Sequence, residues 1–373
     1  MPKLRVGFDG RALESPAAGV RRYAASLLPA LAAAGELDLV VLGGDSAAVP
    51  PGVERVAAPP HPPTNLGWSL VGLPRAASRA GIDVLHAPAY TAPLWGAPPT
   101  VLTIHDVSYA RRPEWYPYRR DLARRAFYRR SARAARVILT DSEFSASEIV
   151  AAYAIPRDRI VVAPLGVEDR FSPAGPGDRC ELPQQIAAPF VLHVGDLHER
   201  RNLTTVVDAV IAARQHFGGA SAVSLVLAGV DRGVADAMCA IAANAGVPEV
   251  VVKLGAVGED LLLSLYRCAT ALVYPSLYEG FGLPVLEAMA CGTPVIASRA
   301  ASIPEVAGDA GLLLDPLDVS AWTDAIVHIV NDDDRRSQMR AKGLARASEF
   351  RWARTARLTL EAYRMATERL GHL

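Results

Sequence analysis

The sequence predicts an α/β protein made of two similar open parallel sheets, each covered by helices. Three observations predict it. Short apolar runs alternate with longer helical patterns from the N-terminus onward, which is the signature of parallel βαβ units. Those runs are rich in Val, Ile and Leu with little alternation, as expected where both faces of a sheet are covered. The rhythm then breaks at SPAGPGDRCELPQQIAAP (172–189), rich in Pro, Gly and polar residues, and restarts after it. At 373 residues the chain has room for two cores.

In the first half, LRVGF (4–8) reads as a strand and RYAASLLPALAAA (22–34) as a helix. LDLVVLG (37–43), IDVLHA (82–87), TVLTIHD (100–106) and RVILTDS (136–142) follow as strands, and the pattern weakens after VVAPLGVEDRF (161–171). The second half repeats the rhythm with strands at FVLHVGD (190–196), SLVLAGV (224–230), EVVVKLG (249–255), ATALVYPS (269–276) and TPVIAS (293–298), and a helix at 203–217. RWARTARLTLEAYRMATERL (351–370) has helical spacing and no strand after it. The expected organisation is an N-terminal domain 1–171, a linker 172–189, a second domain 190–350 and a final helix 351–373 returning to the first domain. Ligands of such sheets bind beyond the carboxyl ends of the strands, so the expected site is the cleft between two facing sheets.

Composition excludes several classes. Equal numbers of basic and acidic residues give no global pull toward nucleic acid. The four cysteines (Cys180, Cys239, Cys268, Cys291) have no C-x-x-C spacing and are expected to be free thiols in a reducing, cytoplasmic setting, with no metal site. No apolar run of about 18 residues is present, so no membrane span is expected.

The stretch YPSLYEGFGLPVLEAMACGTPVIAS (274–298) carries the chemistry. Pro284 fits the start of a helix and Gly292 its end, so Glu279 sits in the preceding loop and Glu287 on the helix. A helix N-terminus offers free N–H groups and partial positive charge to a phosphate, and Gly280 and Gly282 let backbone approach a ligand. A diphosphate there would leave an acid at either end of the ligand, and carboxylates accept from hydroxyl groups. A molecule with central phosphates and terminal hydroxyls is a nucleotide sugar. The competing reading is a loop and helix with two surface acids.

Glu279, seven residues and Glu287, with EGFGLPVLEAMACGTPVIAS between and beyond, resembles the E-x7-E region of the family 4 (group 1) retaining glycosyltransferases, of GT-B fold: two Rossmann-like domains facing across a cleft. The resemblance extends over nearly the whole chain. VGDLHERRNL (194–203) resembles the segment that holds the diphosphate, which implies donor contact at Gly195 and cationic roles for Arg200 and for Arg201, the latter standing where the family usually has lysine. KLGAVGEDLLLSLYRCATALVYPS (253–276) resembles the base-recognising segment, with backbone near Lys253, Leu254 and Gly255. GFDGRALESPAAGVRRYAASLL (7–28) resembles the first strand, glycine loop and helix, with Gly19 nearest the donor phosphate; TIHDVSY (103–109) places His105 near the reacting sugar. HAPAYTAPL (86–94) and RRPEWYPYRR (111–120) resemble a bacterial mannosyltransferase-like subgroup facing the acceptor.

The resemblance implies hexose transfer, mannose by first choice and GDP-mannose as donor, with retention and without cofactor or metal, to a glycan or lipid-linked saccharide. Glu279 would position the sugar, Glu287 the ribose, and Arg200, Arg201, Gly280, Phe281, Gly282 and Leu283 the diphosphate. Residues 111–136 hold ten arginines against Glu114 and Asp121. Phasing at 100° per residue from 119 onward shows no clean basic face, so the segment reads as a solvated, acid-paired helix, with peripheral contact to the inner face of a membrane as the alternative. A nucleotide-sugar epimerase or phosphorylase of the same fold and a non-catalytic nucleotide-sugar-binding subunit are the rival functions. A dehydrogenase is disfavoured because no strand is followed by G-x-G-x-x-G.

Overall fold

The computed structural model describes residues 3–116, 120–175, 177, 181–216 and 223–368. The chain divides into two compact units: residues 1–166 with 351–373, and residues 167–350. The first crossing thus falls at Gly166–Val167, and the segment expected as a linker (172–189) belongs to the second unit. Arg267 fastens part of it, donating through Nε to the Ser172 carbonyl at 2.9 Å.

The first unit has seven parallel strands: β1 (Leu4–Asp9), β2 (Leu37–Leu42), β3 (Glu54–Val56), β4 (Val84–Ala87), β5 (Thr100–Thr103), β6 (Val137–Thr140) and β7 (Ile160–Val162), in the order β3-β2-β1-β4-β5-β6-β7. Strands β4, β5 and β6 are buried along their whole length, which matches their unbroken apolar runs. The three-residue β3 and β7 at the sheet edges were not legible as strands; each is too short to stand out from its loop.

The helix Trp352–Glu368 packs on the helix Ala18–Ala34 and on strands β4 to β7. A buried polar chain fixes it there. Tyr23 Oη meets Thr103 Oγ1 at 3.0 Å, Thr103 Oγ1 meets His86 Nε2 at 2.8 Å, and His86 Nδ1 meets Tyr363 Oη at 2.7 Å. Burial pushes the His86 pKa down to about 3, with the nearby His105 adding to the shift. The ring is therefore neutral, and its one N–H and one lone pair are both satisfied by neutral hydroxyl groups.

The second unit has six parallel strands: β8 (Phe190–Val194), β9 (Ser224–Ala228), β10 (Val251–Gly255), β11 (Ala271–Tyr274), β12 (Val295–Ser298) and β13 (Leu312–Leu314), in the order β10-β9-β8-β11-β12-β13. The order reverses between β8 and β11. At such a reversal the loops leaving the two strands diverge to opposite faces and open a crevice at their carboxyl ends. The helix Leu203–His216 follows β8 and the helix Leu283–Cys291 follows β11.

Three glycines seat the loop ends of β8, β9 and β10 against one another. Gly195 N–H donates to the Ala228 carbonyl at 3.0 Å, and Gly229 N–H donates to the Gly255 carbonyl at 2.8 Å. A Cβ on Gly229 would lie 1.9 Å from the Gly195 carbonyl oxygen, and Gly195 itself has φ +129°. We expect Gly229→Ala to destabilise the second unit by about 1–3 kcal/mol, because backbone rather than a flexible side chain must yield. Urea unfolding followed by hydrogen exchange of the second unit reads the change; an unchanged midpoint would show that the strand ends are not held this closely.

Candidate functional site

The crevice of the second unit collects the second-unit residues that the sequence singled out, while Gly19 and His105 belong to the first unit. After β8 the chain turns through Gly195 to the short 3₁₀ turn Glu199–Arg201. After β11 it runs from Pro275 to Gly282, the left-handed residue (φ +110°) that opens the helix Leu283–Cys291. Pro284 occupies the first turn and Gly292, φ +78°, closes the helix, its N–H reaching the Ala288 and Met289 carbonyls. Helix bounds and caps are thus those expected. No side chain caps the N-terminus, so the N–H groups near Gly282 and Leu283 are not spent on a side-chain oxygen.

The two acids are interior rather than surface groups. Glu279 is 6% exposed and Glu287 2%. Glu279 forms an ion pair with Arg201 Nη1, and both side chains are nearly fully buried. The same Nη1 donates to Tyr274 Oη at 2.5 Å and, at 3.4 Å, to Ser276 Oγ. The guanidinium also lies over the Tyr274 ring, 5.3 Å from its centre. Its other side faces Gly195, where a Cβ would stand 3.3 Å from Nη2. Burial lowers the Arg201 pKa from its usual value, and the Tyr274 oxygen opposes this. Glu287 accepts a hydrogen bond from the buried Tyr266 hydroxyl at 2.8 Å.

Arg201 therefore ties the turn after β8 to the loop after β11. Arg200 is half-buried; its carbonyl accepts from Leu277 N–H at 2.9 Å, a second tie between the same loops. Ser302 Oγ donates to the carbonyls of Glu279 and Phe281, both at 2.9 Å, and Ser298 Oγ to that of Ser276 at 2.6 Å. Gly280 and Phe281 are buried within this loop, and the Phe281 ring packs edge-on against Phe350. At β10, the Lys253 ammonium is taken by Asp236 at 2.7 Å, while Leu254 and Gly255 (φ +70°) carry the strand end beside Gly229.

In the first unit, His105 follows β5. Its Nδ1 meets Asp141 Oδ2 at 2.7 Å, at the end of the neighbouring β6. Burial disfavours the imidazolium, but attraction to Asp141, with help from Asp106, outweighs it and raises the His105 pKa. The ring lies near the Pro88 carbonyl, yet Nε2 has no hydrogen bond of ordinary geometry among the described residues. Tyr23 contacts the ring edge-on at 4.7 Å. The His105 carbonyl accepts from Ser145 Oγ at 3.0 Å, and Asp106 is engaged by Ser108 N–H and Oγ. Gly19 is exposed in the first turn of the helix Ala18–Ala34, and a Cβ there would meet nothing within 4 Å. The protein's own packing does not require glycine at that position.

Sequence reasoning missed Asp141, Tyr266, Tyr274, Ser298 and Ser302. Asp141 was visible as an acid closing an apolar run, but only strand adjacency shows that it meets His105. The expectation of free thiols holds at Cys239 and Cys291 and fails at Cys268, which is disulfide-bonded; pairing outside a short motif leaves no spacing signal. Cys180 lies outside the described residues. Among the described residues no group of three or more His, Cys, Asp and Glu is placed to hold a metal.

Comparison with known proteins agrees with both halves. Residues 17–171 match the family model described as Glycosyltransferase Family 4, and residues 188–332 the model described as Glycosyl transferases group 1. The chain is 36% identical to the O-antigen chain mannosyltransferase B of Escherichia coli, over 71% of this chain and 70% of that protein. It is 30% identical to a D-inositol 3-phosphate glycosyltransferase of Pseudarthrobacter chlorophenolicus, over 75% and 68%. Among solved structures, the sucrose-phosphate synthase of Thermosynechococcus elongatus superposes with a TM-score of 0.75 at 21% identity, covering 98% of this chain and 100% of that one. HepE of Anabaena, solved with UDP and glucose, gives 0.72 at 18% identity with both chains fully covered. These likenesses show the two-domain Rossmann-like fold over nearly the whole chain.

Two expectations follow from this geometry. Arg201→Met should cost about 3–5 kcal/mol by leaving Glu279 buried and unpaired, and adding Glu279→Gln should restore part of the loss. Denaturation of the two single variants and the double variant checks this; strict additivity would show that the pair is not coupled. In an NMR titration His105 should titrate above the usual histidine value, and Asp141→Asn should move it down. Because the folded pKa is the higher one, the pair's contribution to stability is complete below the unfolded value and is lost as pH rises through the folded one. A His105 that titrates normally in both proteins would remove Asp141 as its partner.

Proposed function

The chain belongs to the family 4, group 1 glycosyltransferases, and on that premise we propose that it moves a hexose from a nucleoside-diphosphate sugar to a glycan or lipid-linked saccharide, retaining the anomeric configuration. Mannose is the hexose we propose, on the similarity to the E. coli mannosyltransferase. GDP-mannose heads the donors to be tried.

The observation that carries the reading is the crevice at the β8/β11 reversal. There a glycine turn, an arginine turn, an ion-paired glutamate and an uncapped helix N-terminus meet within one unit. A diphosphate suits the N–H groups near Gly282 and Leu283, the backbone at Gly195 and the guanidinium groups. Breaking the bond between sugar and diphosphate leaves negative charge on the terminal phosphate oxygen. Fixed dipoles and cations aimed at that oxygen lower the barrier most when they need no rearrangement.

Arg200 supplies charge to the leaving group. Arg201, already held by Glu279, supplies it through the side that faces Gly195 and sets the position of Glu279. Glu279 takes the sugar hydroxyls, and Glu287, steadied by Tyr266, takes the ribose. Lys253 and Leu254 serve the base through their backbone, and Gly19 leaves room for the donor phosphates. The acceptor hydroxyl attacks the anomeric carbon from the face that the diphosphate leaves, and its proton passes to the departing phosphate oxygen. His105, polarised by Asp141, acts beside the sugar. We propose that the cationic side chains replace a metal ion in this step, and that the enzyme works in the cytoplasm at the inner face of the membrane. No helix among the described residues is long and apolar enough to cross a membrane.

A panel of nucleotide sugars with thermal stabilisation and donor hydrolysis as readouts tests the reading. GDP-mannose should stabilise the protein, EDTA should leave transfer unchanged, and Glu279→Gln or Arg200→Ala should each lower kcat by about 100-fold or more with the fold intact. No stabilisation by any nucleotide sugar, or full activity in either variant, would sink it. Action on the donor alone, without an acceptor, would favour the epimerase.

A further inference from the structure

On the flank of the first unit, a cavity of about 600 Å³ opens between the helix Leu122–Ala134, the turn Ser108–Arg111 and the last turn of the helix Glu143–Tyr153. Its walls carry five arginines, Arg111, Arg125, Arg129, Arg130 and Arg133, and no acid. Sequence phasing found no basic face here, and the structure corrects that reading. The helix begins at Leu122 and Arg124 is turned to Asp121 at 3.2 Å, while Arg119 lies outside the described residues. The four remaining helical arginines fall within an arc of about 140° at 100° per residue.

The partners of these arginines are few. Arg111 Nε meets Glu148 at 2.9 Å, and Arg133 Nε donates to the Tyr153 carbonyl at 3.3 Å, which satisfies an acceptor at the helix end. Arg125, Arg129 and Arg130 have no side-chain partner among the described residues. Tyr109 and Tyr153, whose hydroxyl groups meet each other, form the apolar and hydroxyl-bearing floor. Like charges crowded on one concave wall repel one another, and a bound anion relieves that repulsion. A single carboxylate brings one charge. A condensed phosphate brings several, on tetrahedral oxygens that match the guanidinium fork.

From this we infer that the cavity binds a condensed phosphate, at a site made wholly of first-unit residues and separate from the residues proposed for the donor. A free condensed phosphate and the phosphate head of a lipid share this chemistry.

Sodium pyrophosphate titrated calorimetrically into the Arg200→Ala protein, at constant ionic strength, reads this site against a weakened donor site. We expect one saturable site in that protein, weakened at least about tenfold when Arg125→Ala and Arg129→Ala are added. The same loss should appear with the Gln substitutions, circular dichroism confirming the fold. Absence of binding through the millimolar range, or an affinity unmoved by the arginine changes, overturns the inference. Phosphatidylcholine vesicles carrying phosphatidic acid distinguish the source. Vesicle binding that pyrophosphate displaces assigns the site to a lipid head, and pyrophosphate binding without vesicle binding assigns it to a soluble ligand. Vesicle binding that pyrophosphate does not displace makes the arginine face a membrane-docking surface and rejects the cavity. Because the test is run on Arg200→Ala protein, its failure leaves the proposed transfer reaction standing.

Discussion

The second unit is organised around one buried ion pair, Arg201 with Glu279. A guanidinium at this depth is costly unless its hydrogen-bonding capacity is met by fixed partners, and a carboxylate beside it must be fixed for the same reason. Tyr274 at the end of β11 and Ser276 in the loop meet part of that demand at Nη1, drawing them to the turn that follows β8, while Arg201 Nε has no hydrogen-bond partner among the described residues. The two loops at the reversal of strand order thus behave as one polar assembly. A cation and an anion that neutralise each other hold one another in place, with their remaining oxygen and nitrogen atoms directed by the pair rather than by solvent. This is pre-organisation obtained from electrostatics, and it explains why Ser298 and Ser302 are spent on backbone carbonyls of the same loop.

The glycines answer a different demand. At the ends of β8, β9 and β10 the chains approach so closely that a methyl group on Gly229 has no room, because its neighbour is backbone. Gly19 presents the opposite case, with nothing of the protein nearby. The first kind of glycine is explained by folding alone. The second is left unexplained by packing.

Much of this was legible in the residues. The long buried strands stand out as unbroken apolar runs, and the helix Leu283–Cys291 is bounded by its own Pro and Gly. The edge strands β3, β7 and β13 were missed, since three residues carry too little pattern. Glu279 and Glu287 were found by spacing, yet their burial was not, because nothing local announces that Arg201 or Tyr266 will arrive from another element. The same holds for Asp141, which becomes a partner of His105 only once β5 and β6 are known to be adjacent. Spacing reports what one element presents, while pairing across elements needs the topology. The arginine-rich helix failed for a related reason: phasing began at a residue outside the helix and treated Arg124, bound to Asp121, as equal to the others.

Three histidines, His86 and His193 buried and His105 partly so, show how strongly a single neighbour decides chemistry. Burial pushes His86 and His193 down to about 3, and each is held by neutral partners, hydroxyl groups for His86 and the Val273 carbonyl for His193. Arg201 reinforces the shift at His193. Neither ring can carry charge near neutrality, and both act as fixed hydrogen-bonding spacers. His105 experiences the same desolvation, but Asp141 sits against Nδ1 and reverses the outcome. Of the three it alone is raised rather than lowered, and it alone has a carboxylate against Nδ1, while Nε2 lacks a well-formed partner in His193 as well. A ring paired with a carboxylate takes up a proton more readily than its two neutral counterparts. The role proposed for His105 beside the reacting sugar therefore rests on the environment that separates it from its two neutral counterparts, not on its being a histidine.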